Sequence, residues 1–172
     1  MTEIQLEIRE AQAADATAVL AVSQRLATET DFLLMDEEGL ALPETLLAQE
    51  LDALSEQNNH LLLLAFDQDK VIGMASIKGN NEWQLRHVGE IGISILKDYW
   101  GLGLGSILLE ELLDWVKETK LLTRIELTVQ VRNERAIGLY QKFGFVTEGC
   151  MKQAVQTKAG EKVDVWMMAR YF

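Results

Sequence analysis

Three glycines at alternate positions, Gly101, Gly103 and Gly105, lie between an apolar segment and a segment with helical periodicity. A glycine has no Cβ, so an anion can approach its backbone closely. The N-terminus of a helix presents unpaired N–H groups and the positive end of the helix dipole. A strand, a glycine loop and a helix in this order are typical of sites that bind phosphate groups. This segment therefore predicts a site for a diphosphate.

Two common phosphate-binding motifs do not fit this loop. The P-loop requires a Gly-Lys-Ser/Thr ending, whereas Gly105 is followed directly by Ser106. The dinucleotide fingerprint is Gly-x-Gly-x-x-Gly with an acidic residue after the next strand, whereas that strand ends here in Val-Gln-Val at 129–131. A dinucleotide-dependent oxidoreductase is therefore a weak alternative, and on this loop alone a glycine-rich turn without a ligand stays open.

A second stretch, residues 133–145, has the pattern Asn-x-x-Ala-x-x-Leu-Tyr-x-Lys-x-Gly-Phe. Together with the glycine loop it resembles two motifs of the GCN5-related N-acetyltransferase (GNAT) family, whose loop is usually written Gln/Arg-x-x-Gly-x-Gly/Ala. Gly103 and Gly105 match the two small positions of that loop, and Trp100 stands where the family commonly has Gln or Arg. The resemblance covers essentially the whole chain and is weakest over residues 28–42.

The resemblance implies an enzyme that transfers an acetyl group from acetyl-CoA to a primary amine of a small molecule or a protein N-terminus. Transfer would be direct, in a ternary complex, with no metal and no covalent enzyme intermediate. The backbone near Ile93 and Ile95 would bind the pantetheine arm, and an amide there would polarise the acetyl carbonyl. The residues that the resemblance assigns to acetyl-CoA are Ile93, Ile95, Trp100, Gly101, Leu102, Gly103, Leu104, Gly105, Ser106, Asn133 and Tyr140.

Two catalytic residues are predicted, and each has a simpler structural interpretation. Tyr140 resembles the family tyrosine that protonates the departing thiolate, although it could be a packing residue. Glu90 is the candidate base that accepts the amine proton through water, with Glu148 as a weaker candidate, and either could be a solvated carboxylate. Asn133 is also a favoured residue for a helix N-cap. A non-catalytic acyl-CoA-binding regulatory module, which would lack a working Glu90 and Tyr140, is the alternative function.

These residues must be positioned by one domain over residues 1–172 with an α/β (mixed α+β) architecture. The apolar pattern predicts a strand, two helices, three antiparallel strands, a helix, a strand, a helix and two strands. The resemblance implies a central mixed, mostly antiparallel sheet of about seven strands with helices on both faces. The helices are predicted at 13–27, 43–57, 106–117 and 133–143, and the strands near 4–8, 61–66, 71–77, 88–96, 125–129, 145–154 and 163–171.

The charge of the chain limits its partners. The 172 residues include 27 acidic and 16 basic side chains, a net charge of −11. A nucleic-acid partner is disfavoured because phosphate-backbone binding needs a basic surface. Acidic residues occur where family members bind the acceptor amine, and they could attract a cationic acceptor, although a solvated loop is the simpler interpretation. These residues are Glu29, Asp31, Asp36, Glu37 and Glu38.

The remaining composition predicts a cytoplasmic protein without metal or membrane. The single cysteine, Cys150, cannot form an internal disulfide, which fits a reducing compartment. His60 and His87 lack metal-ligand spacing. Residues 1–5 do not resemble a signal peptide, and the apolar run 61–66 is too short to span a bilayer. The resemblance to the family leaves a homodimer open.

Overall fold

The computed structural model describes residues 3–35 and 37–172. The helices are α1 (Ala16–Glu29), α2 (Glu44–Ser55), α3 (Leu104–Thr119) and α4 (Glu134–Lys142). The strands are β1 (Leu6–Glu10), β2 (His60–Asp67), β3 (Lys70–Gly79), β4 (Val88–Ile95), β5 (Arg124–Gln130), β6 (Val146–Gln156) and β7 (Lys162–Tyr171).

The seven strands form one sheet in the order β1-β2-β3-β4-β5-β7-β6. Five of its six neighbouring pairs are antiparallel, and only β4 and β5 are parallel. The predicted mixed, mostly antiparallel sheet and the predicted order of elements are confirmed. Among the described residues, no helix is long and apolar enough to cross a bilayer.

Helices cover both faces of the sheet. Leucines at helical spacing on α3 are fully buried, and one of them, Leu108, lies over Gly73 of β3, where an added Cβ would be 3.6 Å from its Cδ1. Leu51 of α2 and Leu62 of β2 line a second cavity together. Leu62 points to the face opposite Gly73, because Gly73 pairs with Ala65 and side chains alternate along a strand. The predicted arrangement of helices on both faces is therefore confirmed.

Strands β4 and β5 pair over only part of their length. Their parallel register runs from Val88 opposite Arg124 to Glu90 opposite Glu126 and then stops. Strand β4 continues beyond this point against β3 as far as Ile95. The two parallel strands therefore diverge, and one edge of β4 is left without a strand partner over residues 91–95.

Helix α3 begins at Leu104, two residues before the predicted start at Ser106. Gly105 therefore lies in the first helical turn and not in the loop. An added Cβ at Gly105 would be 3.2 Å from Cδ2 of Leu139 on α4 and 3.6 Å from Cδ1 of Ile95 on β4. Since the first distance is tighter than ordinary van der Waals contact, a glycine at 105 allows α3 and α4 to approach each other closely.

Candidate active site

A cleft of about 420 Å³ lies beside the divergent part of β4. Its walls are the end of β4, the loop into α3, the segment 30–33 after α1, and the start of α4. Ten of the eleven predicted acetyl-CoA residues line it, namely Ile93, Ile95, Trp100, Gly101, Gly103, Leu104, Gly105, Ser106, Asn133 and Tyr140. The eleventh, Leu102, is 58% exposed and lies outside the lining, as does Glu90.

The loop before α3 leaves the start of that helix open to a ligand. Gly101 and Gly103 have φ of 76° and 84°, in the left-handed region that favours glycine. Gly103 is the N-cap of α3, and no side chain caps the helix. The first turn therefore presents N–H groups without intrahelical acceptors. An added Cβ at Gly103 would meet no atom within 4 Å, so the space over this turn is free for an anion.

Trp100 holds the glycine loop against the end of β4 through a hydrogen bond. Its indole Nε1 donates a hydrogen bond to the carbonyl oxygen of Ile95 at 2.7 Å. The guanidinium carbon of Arg135 lies 5.2 Å from the centre of the Trp100 ring, within the range of a cation–π contact. The indole N–H is therefore already used inside the protein, and the ring presents a face to a cation at the edge of the cleft.

The free edge of β4 points its backbone donors toward the diverging side of the sheet. The N–H of Leu96 donates to the carbonyl of Ile72 on β3 at 2.9 Å. Because the backbone groups of successive residues alternate between the two edges of a strand, those of Ile95 and Ile93 point away from β3. The bond from Trp100 to the Ile95 carbonyl agrees with this direction. The N–H of Ile93 is thus a donor facing the side where β5 diverges.

Tyr140 combines a buried ring with an accessible hydroxyl. The ring packs edge-on against Phe145, with 5.7 Å between centroids, and burial raises the pKa of the phenol to about 12. The hydroxyl has no hydrogen-bond partner among the described residues. Every fully buried side-chain N or O atom of those residues has a partner, so the hydroxyl oxygen is not fully buried. Tyr140 lines the cleft, and its phenol is protonated at neutral pH.

Residues after Tyr140 end helix α4 and hold the tyrosine. Gly144 has φ of 84° and donates its N–H to the carbonyl of Gln141 at 3.0 Å. Phe145 donates its N–H to the carbonyl of Tyr140, also at 3.0 Å. These two bonds and the ring contact between Phe145 and Tyr140 form a Schellman C-cap. The Gly-Phe pair of the sequence motif therefore explains how Tyr140 is positioned.

Asn133 begins the same helix. Its Oδ1 accepts a hydrogen bond from the backbone N–H of Ala136 at 3.3 Å, so the predicted N-cap role is confirmed. Asn133 also lines the cleft. Its side-chain amide N–H groups are not used by the cap, because the cap employs the oxygen.

The two candidate bases lie away from the cleft. Glu90 is exposed, and its Cα is about 13 Å along β4 from that of Ser94, the nearest lining residue on the same face. Glu148 is bound by the guanidinium of Arg124 and accepts a hydrogen bond from Tyr171, which together lower the pKa of the carboxyl to about 2. Glu148 is therefore a poor proton acceptor at neutral pH.

The acidic segment after α1 is tied to the walls of the cleft. Glu29 pairs with Arg25 at 2.8 Å and accepts the N–H of Lys97 at 2.7 Å. Asp31 pairs with Arg132 at 2.9 Å. These two carboxylates therefore have partners within the protein. Glu37 and Glu38 are exposed, and Asp36 lies outside the described residues.

Polar residues outside the predicted set also build this site. Gln130 is buried and donates its side-chain amide to the carbonyl of Asp31 at 3.0 Å, which joins β5 to the segment after α1. Arg132 and Arg135 line the cleft directly. The positive charges of Arg132 and Arg135, close to Asn133 in the sequence, are a signal from which a cationic cleft wall could be predicted. No local sequence signal pairs Gln130 with Asp31.

Comparison with known proteins agrees with the fold and the cleft. The acetyltransferase (GNAT) family model matches residues 28–145, and the chain therefore belongs to this family. The L-amino acid N-acetyltransferase AaaT of Escherichia coli (strain K12) is 35% identical over 109 residues. Those residues are 63% of this chain and 66% of that relative, slightly less than two thirds of its length.

Two solved structures show the same fold. The acetyltransferase of the GNAT family from Streptococcus pneumoniae superposes with a TM-score of 0.95 at 38% identity, covering 98% of this chain and all of that one. The phosphinothricin acetyltransferase of Sinorhizobium meliloti, solved in complex with acetyl-CoA, has a TM-score of 0.80 at 22% identity and covers 98% of this chain and 89% of its own. The latter likeness concerns the fold alone.

Proposed function

We propose that this protein is an acetyl-CoA-dependent N-acetyltransferase that transfers the acetyl group directly to a primary amine of a small molecule or a protein N-terminus. One observation carries the proposal. The uncapped start of α3, the free edge of β4 and the hydroxyl of Tyr140 surround a single cleft. Membership of the acetyltransferase (GNAT) family supports the identity of the donor.

Each wall of the cleft suits one part of acetyl-CoA. The backbone amides of residues 104–106 would bind the diphosphate, helped by the helix dipole. The edge of β4 would bind the pantetheine arm through its unpaired backbone groups. The N–H of Ile93 would donate to the thioester oxygen, where negative charge develops as the amine attacks. Acetyl-CoA itself supplies the activated acyl group, so the protein need only bind, orient and manage protons.

The pKa of Tyr140 defines how it can assist departure of the sulfur. A phenol with a pKa of about 12 is a weaker acid than a thiol with a pKa of about 8.5 by roughly 3.5 units, or about 5 kcal/mol. Transfer that left a phenolate would therefore be unfavourable. Tyr140 donates a hydrogen bond to the developing thiolate, and the proton that the attacking amine loses restores any proton that Tyr140 gives up.

A thiol-release assay with acetyl-CoA and a panel of primary amines tests the function. We expect turnover with at least one amine. Tyr140→Phe should lower kcat by about 10²- to 10⁴-fold and leave the Kd for CoA within about twofold. Tyr171→Phe, outside the cleft lining, is the matched control and should keep its activity. Failure of the wild-type protein to bind CoA would overturn the proposal.

The position of Glu90 favours the second candidate function, a non-catalytic acyl-CoA-binding module, because this carboxylate lies outside the cleft lining. As the base, Glu90 would have to act through water along the strand past Gly92. An added Cβ at Gly92, between Glu90 and Ser94, would meet only Oγ of Ser76, at 3.5 Å. The missing side chain leaves a path along the strand that several waters could occupy. Binding of CoA without turnover of any amine would decide for the module.

Two variants separate a base at Glu90 from a solvated carboxylate. Glu90→Gln should lower kcat/KM at neutral pH, because the proton acceptor is lost. Gly92→Ala should produce part of the same loss by narrowing the water path. Glu110→Gln, on the exposed side of α3, removes the same charge elsewhere and serves as the control. An unchanged kcat/KM in Glu90→Gln would exclude this role.

A further inference from the structure

Binding of CoA poses an electrostatic problem for this chain. The phosphates of CoA are anionic, while the protein carries a net charge of −11. Among the residues that the structure describes, only two basic ones line the cleft, Arg132 and Arg135. Arg132 is neutralised by Asp31 at 2.9 Å, whereas the ion pairs formed within residues 3–35 and 37–172 do not include Arg135. Arg135 is therefore the lining cation available to a ligand.

The position of Arg135 is defined by the glycine loop. Its guanidinium carbon lies 5.2 Å from the centre of the Trp100 ring. An added Cβ at Gly101 would be 3.6 Å from its Nη1, so the charge lies at the entrance to the open first turn of α3. Stacking on an aromatic face leaves the N–H groups at the edge of a guanidinium free, and those groups match the geometry of phosphate oxygens.

We propose that Arg135, oriented by stacking on Trp100, is the phosphate-binding side chain of this cleft. The proposal rests on the proposed binding of CoA. The indole N–H of Trp100 is bonded to the carbonyl of Ile95 and is therefore not available to a phosphate. In phosphate binding, Trp100 thus holds the glycine loop in place, and Arg135 supplies the positive charge.

One carboxylate competes for this cation. Glu134 also lines the cleft, directly before Arg135 in the first turn of α4. No ion pair joins the two side chains, because adjacent helical residues do not face each other. Arg135 is exposed and its loss removes no core packing, so a variant at this position reports on binding and not on folding.

Calorimetric titration with CoA tests the proposal. Arg135→Gln should weaken binding by about tenfold, the order expected for a lost charge-assisted hydrogen bond. Arg135→Lys keeps the charge but lacks the planar guanidinium, so its affinity for CoA should lie between those of the wild type and Arg135→Gln. The control is Arg86→Gln, because Arg86 stacks on Trp83 at 5.3 Å outside the cleft and its loss removes the same charge. This control should bind CoA as the wild type does.

Titration with 3′-dephospho-CoA identifies the phosphate. If Arg135 binds the 3′-phosphate, the wild type prefers CoA to the dephospho compound and Arg135→Gln loses that preference. If it binds the diphosphate, the substitution weakens both ligands by the same factor. Either pattern supports the proposal. Equal CoA affinity in wild type and Arg135→Gln overturns it, whereas no binding by the wild type overturns the proposed function first.

Discussion

At the scale of single residues, burial decides the acid–base behaviour of Tyr140. The ring is 6% exposed, and desolvation disfavours the phenolate, which raises the pKa to about 12 from its ordinary value of 10.0. The folded state therefore holds the phenolic proton more tightly than the unfolded state. The stabilisation associated with this proton is fully present below pH 10 and is lost as the pH rises toward 12.

We predict that the free energy of unfolding falls with alkaline pH partly because of Tyr140. Between pH 9 and pH 11.5 the wild type should lose about 2 kcal/mol more than Tyr140→Phe, since about 1.5 pKa units of differential proton binding are removed by the substitution. Urea unfolding at a series of pH values measures this difference. Parallel pH dependences in the two proteins would show that the phenol is not held in its neutral form by burial.

Gly103 gives a second prediction at this scale. Alanine at φ of 84° costs about 1 kcal/mol of stability, although no atom lies within 4 Å of the new methyl group. We expect Gly103→Ala to weaken CoA binding by at least about tenfold, because the methyl group occupies the approach to the first turn of α3. Thermal unfolding and calorimetry on the same sample separate the two effects.

The chain offers a matched control for that substitution. Gly160 lies between β6 and β7, outside the cleft, with φ of 86° and likewise no atom within 4 Å of an added Cβ. Gly160→Ala should therefore lose similar stability and keep its affinity for CoA. Similar affinity in both variants would argue against an anion over the first turn of α3.

At the scale of the elements, the end of α4 links the sequence motif to the position of Tyr140. We predict that Gly144→Ala loses about 1 kcal/mol of stability, because φ of 84° disfavours alanine. Loosening of the C-cap would also free the contact between Phe145 and Tyr140, so kcat should fall while the Kd for CoA stays unchanged. Thermal unfolding, calorimetry and initial rates check the three parts. Unchanged kcat would mean that the cap serves stability alone.

The sequence predicts those elements whose signals are local. Asn133 marks the start of α4 and Gly144 its end, because both bond to backbone groups within a few residues. Helix α3 begins at Leu104, two residues before the start that the glycine spacing predicts. Gly105 is helical although glycine has a low helix propensity, and the close approach of Leu139 to it is a tertiary contact that local propensity does not contain.

At the scale of the whole molecule, the cleft depends on contacts between distant parts of the chain. The bond from Gln130 to Asp31 spans 99 residues, and the stack of Arg135 on Trp100 joins α4 to the loop before α3. The divergence of β4 from β5 is likewise visible only in the structure, where the pairing of the two strands stops after Glu90 and Glu126. The two motifs therefore predict the position of the cleft through the family resemblance. The contacts that build its side walls, and Arg135 as its cation, are visible only in the structure.

Net charge gives the last prediction, which concerns the rate of CoA association. At 10 mM salt the Debye length is about 30 Å, so CoA meets the field of the whole protein, whose net charge is −11, before it meets Arg135. At 100 mM salt the length is about 10 Å and the repulsion is largely screened. We expect the association rate to rise by about two- to fivefold over this range, as measured by stopped-flow fluorescence.

Arg86→Gln and Arg135→Gln both bring the net charge to −11 − 1 = −12, so both should show the same rise, while only Arg135→Gln should dissociate faster. A rate that falls with salt would mean that the local positive field of the cleft, and not the net charge, governs the encounter.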